Sequence, residues 1–89
     1  MKVTLGKRGL SKSWQANFPE TTPCILCKGT ARIGFVAHEG IDKPDKGPFV
    51  CEIHPNKGKV KYWLHDCCAV AVYFCQDCLN TTALYNQGK

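Results

Sequence analysis

Cys75-Gln76-Asp77-Cys78-Leu79-Asn80-Thr81-Thr82-Ala83-Leu84-Tyr85-Asn86-Gln87 is the stretch on which the fold of this 89-residue chain turns. It begins with a Cys-x-x-Cys pair, and the residues after Cys78 read as a short helix closed by Gly88 as its C′ residue. A second such pair, Cys24-Ile25-Leu26-Cys27, stands far upstream and runs into Lys28-Gly29. That exit suits a tight knuckle that leaves with positive φ. Four thiolates delivered as two close pairs match a tetrahedral Zn²⁺ site, because zinc has no strong directional preference and favours sulfur. The candidate metal ligands are therefore Cys24, Cys27, Cys75 and Cys78. A helix starting at the second pair would add a favourable dipole to its thiolates.

Length makes such a clamp useful. A chain this small forms one domain and buries only about 60–65% of its unfolded surface, so its core is marginal. Structural zinc contributes roughly 10–16 kcal/mol of apparent binding energy that becomes folding energy. Seven cysteines could instead form a secreted disulfide framework. The odd count, the metal-type spacing and the lack of an apolar signal core in Met1–Trp14 argue for a reducing, cytoplasmic setting. The longest apolar run, Cys67–Phe74, is too short to cross a bilayer, so no membrane association is expected.

Residues 1–23 hold four basic side chains before the first acid at Glu20, and little hydrophobic periodicity. They read as a basic, partly flexible arm anchored by Trp14 and Phe18, leaving 24–89 as the zinc-binding domain. Thr30–Ala37 alternates as a strand leaving the knuckle, with Ile33, Phe35 and Ala37 on one face. Residues 38–48 read as a solvent loop with His38 at its exposed edge. Phe49–His54 and Lys59–Asp66 flank Pro55-Asn56-Lys57-Gly58 as a β-hairpin, and Ala69–Phe74 is a continuous apolar strand, central in the sheet.

Cys51, His54, His65, Cys67 and Cys68 lie between the two pairs and raise the question of a second ion. A RING-like cross-brace keeps its second and third ligand couples close, whereas residues 55–64 separate His54 from His65. In a hairpin turning at 55–58, His65 lies roughly 10 Å past the partner of Cys51 and roughly 20 Å past that of His54. One zinc ion is the expectation; a second, through Cys51, His54, His65 and Cys67 or Cys68, is the lesser alternative.

Through CILCKG (24–29) and FCQDCLNTTALYNQ (74–87) the chain resembles the treble-clef group of zinc fingers. That resemblance implies a small α+β zinc-stabilised domain in which a knuckle, an antiparallel β-hairpin and a short C-terminal helix share one four-cysteine site. The group includes ribosomal proteins, transcription factors, nuclease domains and ubiquitin-related adaptors, so the likeness leaves activity open.

Catalysis is not expected, because four cysteines close the shell that a catalytic zinc keeps open. His65-Asp66 only imitates an HNH-type nuclease hairpin, and a thiol oxidoreductase uses a lone Cys-x-x-Cys. Nor does a small-molecule substrate suggest itself. The net charge of +5 points to a polyanion instead. Lys57, Lys59 and Lys61 would neutralise phosphates while Trp63 stacks on a base, and Lys7 and Arg8 in the arm would follow the backbone. The alternative is a protein–protein adaptor that docks on a larger assembly through an exposed aromatic, Tyr85 or Trp63.

Overall fold

In this computed structural model, residues 1–39 and 68–87 are described. They build one antiparallel sheet from β1 (Lys2–Leu5), β2 (Thr21–Pro23), β3 (Thr30–His38), β4 (Cys68–Cys75) and β5 (Thr81–Gln87). The order is β1-β3-β4-β5, with β2 pairing β3 beyond the end of β1. The hairpin expected at Phe49–His54 and Lys59–Asp66 lies outside the described residues, as do Cys51, His54, His65 and Cys67.

The helix expected after Cys78 is not there, and with it the α+β, treble-clef-like reading is overturned. Residues 81–87 are a strand, and the one helical element among the described residues is a 3-10 turn at Gly6–Gly9. The reason is visible in the burial. Thr82 is buried and Leu84 and Asn86 are half-buried, while Thr81, Ala83 and Tyr85 are exposed, a period of two rather than 3.6. An isolated helix this short is marginal in water. The β-branched Thr81-Thr82 pair favours a pleated strand, and the open edge of β4 offers every residue of the segment a register partner.

β4 is central as expected, lying between β3 and β5. β3 departs from simple alternation. Its register with β4 shifts between Ile33 and Phe35, so Gly34 is an extra residue in a β-bulge. Ala31 and Ile33 face inward before the bulge, Val36 and His38 after it. The expected apolar face of Ile33, Phe35 and Ala37 is thereby broken, and His38, expected to be exposed, is 1% exposed with Nε2 2.9 Å from Thr4 Oγ1. Gly34 leaves room for the Phe74 ring, which packs directly over it.

Residues 6–20 cross the inner face and cover the core. Phe18, Ala31, Val36, Ala69, Ala71 and Tyr73 form it, with Leu10, Ile33 and Leu84 packed around them. Gly9 sits so close to Val36 that an added Cβ would lie 2.8 Å from that side chain. Tyr73 is fully buried and donates its hydroxyl to the carbonyl of Pro19 at 2.5 Å. Trp14 donates from Nε1 to the Glu39 carbonyl at 3.0 Å. The N-terminal residues thus contribute two strands and part of the core. No helix among the described residues is long and apolar enough to cross a membrane.

Candidate metal centre

Each Cys-x-x-Cys pair occupies the loop of a hairpin. The first loop runs from β2 to β3, where Pro23 pairs with Thr30; the second runs from β4 to β5, where Phe74 pairs with Thr81. The two loops are built alike, so the expected contrast between a knuckle and a helix N-terminus does not hold. Cys24 N–H donates to the Gly29 carbonyl and Cys75 N–H to that of Asn80, at 2.7 and 3.0 Å. Lys28 N–H returns to the Cys24 carbonyl and Leu79 N–H to that of Cys75, at 3.1 and 3.0 Å. Positive φ falls on Lys28 and Leu79. Gly29 has another use: a Cβ there would run into the Asp77 carboxylate, so its bareness lets the second knuckle lie against the first.

Packed this way, the loops bring the four sulfurs within 4.8 Å of one another. Cys24 Sγ is 3.7 Å from Cys78 Sγ, and Cys27 Sγ is 3.5 Å from Cys75 Sγ. Tetrahedral Zn²⁺ with bonds of about 2.3 Å requires sulfurs about 3.8 Å apart. The quartet therefore fits one ion, consistent with a single structural Zn²⁺ held by Cys24, Cys27, Cys75 and Cys78. Once filled, the shell has no open position.

Backbone amides prepare the sulfurs for negative charge. Leu26 N–H points at Cys24 Sγ and Gly29 N–H at Cys27 Sγ, both at 3.4 Å. Asp77 N–H and Cys78 N–H point at Cys75 Sγ at 3.4 and 3.5 Å. The first cysteine of each pair is buried and the second exposed. The amides of Cys27 and Leu26 pull Cys24 down to about 6, and those of Cys78 and Asp77 lower Cys75. Cys27 keeps the Gly29 amide but is pushed up to about 12 by its sulfur neighbours Cys75 and Cys78. Cys78 likewise keeps the Asn80 amide, yet desolvation and the Cys75 and Cys24 sulfurs raise it. Four mutually close thiolates need a cation, and without one the cluster retains protons on the second member of each pair.

Two supporting residues escaped the sequence reading. Thr82 Oγ1 accepts the Ile25 N–H at 3.1 Å, tying the first knuckle to β5, and Gln76 N–H donates to the Thr30 carbonyl at 3.0 Å, tying the second to β3. The β-branched Thr81-Thr82 pair was the signal that could have placed Thr82 in a strand beside the site. Cys68, considered as a ligand, is buried at the far end of β4 from Cys75. Of the residues expected to meet nucleic acid, Lys57, Lys59, Lys61 and Trp63 lie outside the described residues. Lys7 and Arg8 are exposed in the 3-10 turn, with Lys7 Nζ 2.8 Å from Glu20. No family model, curated protein or solved structure matches this chain.

Proposed function

We propose that this chain is a non-catalytic zinc module that docks on a larger protein through the outer face of its sheet. The observation carrying this reading is the composition of that face. Register places Val3, Leu5, Phe35, Val70, Val72, Phe74 and Tyr85 on it together. Val3, Leu5, Phe74 and Tyr85 are 58, 73, 41 and 55% exposed, respectively. Arg32 is the one charged residue that register puts there among the described residues. Exposed apolar faces rimmed by polar groups mark interaction sites, and aromatic anchors carry much of interface energy. The zinc-tied knuckles stiffen one end of the sheet, so the face is presented with little ordering cost on binding. A closed four-cysteine shell, as in structural zinc fingers and ribbons, supports the absence of catalysis.

Nucleic acid is the competing partner, and among described residues it rests on Lys7 and Arg8, the first already paired with Glu20. Affinity isolation of the zinc-loaded chain from its source cells, under reducing conditions, separates the two readings. The expected result is a stoichiometric protein partner that is lost when Val3→Ser and Leu5→Ser are combined. Undiminished recovery by that variant would refute docking through this face. Tight binding to unrelated oligonucleotides with a steep salt dependence would replace it with the nucleic-acid reading.

A further inference from the structure

The two edges of the sheet are finished differently. Beside β3 the edge consists of β1 and β2, four and three residues long, with Lys2 in the first and Pro23 ending the second. Short strands, lysine and proline are the usual means of keeping an edge from pairing. The opposite edge has none of them. β5 is seven residues long, contains neither proline nor a charged residue, and runs beside β4 without a register shift from Cys68↔Gln87 to Phe74↔Thr81. Among the described residues β4 is its only strand neighbour.

A cavity of about 520 Å³ opens alongside this edge, between residues 15–19 and Ala83–Asn86, and no charged residue lines it. Phe18 and Leu84 contribute apolar surface, and Asn86 Nδ2 donates to the Ala16 carbonyl at 3.3 Å, fastening the wall to the strand. Whatever adds to β5 must be extended, to take up its backbone hydrogen bonds, and uncharged, to lie against such a wall. β5 meets both requirements for itself. Two copies each carrying a net charge of +5 repel one another over most of their surface, and a long neutral edge lets them meet without opposed charges.

We propose that two copies of this chain associate by antiparallel pairing of their β5 strands about a twofold axis, the commonest symmetry of homo-oligomers. The product is one continuous sheet in which each β5 is an interior strand and its inner-facing side chains lie alongside the partner's cavity. The proposal is independent of docking through the outer face, because it uses the edge of the sheet.

Sedimentation equilibrium of the zinc-loaded chain under reducing conditions tests it, with an expected mass near twice the 9.9 kDa of one copy. Ala83 and Tyr85 are exposed on β5, so Ala83→Lys is expected to give a monomer that keeps its zinc. Tyr85→Lys serves the same purpose should the first variant fail to fold. Leu5→Lys, on the opposite edge strand, is expected to remain dimeric. A native chain that stays at the single-copy mass at the highest concentration reached would overturn the proposal, including one that pairs with an added strand peptide instead. So would dimers that survive a folded lysine variant of β5, or dimers abolished by Leu5→Lys.

Discussion

Lys28 and Leu79 hold the same position in two matching turns, each directly after the second cysteine of its pair, and both are left-handed, with φ of 67° and 61°. Neither is glycine, although this region is costly for any side chain that has a Cβ. Both turns accept the strain because the following residue must swing back to hydrogen-bond the first cysteine, through Gly29 in one and Asn80 in the other.

Leu79→Gly is expected to raise the stability of the zinc-loaded domain. The left-handed penalty of about 1–2 kcal/mol exceeds the roughly 0.5–1 kcal/mol of extra chain entropy that glycine brings. Leu79→Val, β-branched at positive φ, should lower it by about 1 kcal/mol or more. Thermal unfolding reads both, and a destabilised Leu79→Gly would mean that the exposed leucine contributes contacts of its own.

Metal removal should unfold the domain cooperatively, since a core this small is marginal and the binding energy of structural zinc becomes folding energy. Native mass spectrometry should count one zinc among the described ligands. Cys27→Ser should abolish its retention, whereas Cys68→Ala, at the far end of β4, should keep it. A domain that remains cooperative after exhaustive chelation would contradict the structural role of the ion.

Zinc uptake should release at least two protons near neutral pH, those of Cys27 and Cys78. Cys24 at about 6 is already a thiolate there and the amides of Cys78 and Asp77 lower Cys75, while Cys27 at about 12 and the raised Cys78 still hold protons. The sign follows from linkage: raising the pH removes the competing protons, so apparent affinity climbs about a hundredfold per pH unit for two protons released. Falling pH weakens binding, more steeply once Cys24 also protonates below about 6. Calorimetry in buffers of different ionisation enthalpy counts the protons, and a pH-independent affinity would exclude this distribution.

Tyr73→Phe keeps the buried ring and removes only the hydroxyl that reaches Pro19. The Pro19 carbonyl then loses its partner, and a cost of about 1–2 kcal/mol is expected without loss of zinc. Chemical denaturation of the metal-loaded variant measures it; an unchanged midpoint would show that water replaces the hydroxyl at no cost.

Local spacing was enough to read the metal centre. Cys-x-x-Cys brings two sulfurs to one ion wherever the chain goes next, so Cys24, Cys27, Cys75 and Cys78 were legible as a set, as was the apolar run of β4. The element after Cys78 was not legible in the same way. TTALYNQ is too short to be a stable helix alone, and its strand form exists because β4, held on its other side by the distant β3, presents an open edge beside it. The bulge at Gly34 likewise exchanged the faces of β3, burying Val36 and His38 where strict alternation would have buried Phe35 and Ala37. Coordination chemistry acts over four residues and is written in the sequence, whereas strand pairing and face selection are settled by neighbours that only the folded chain brings together.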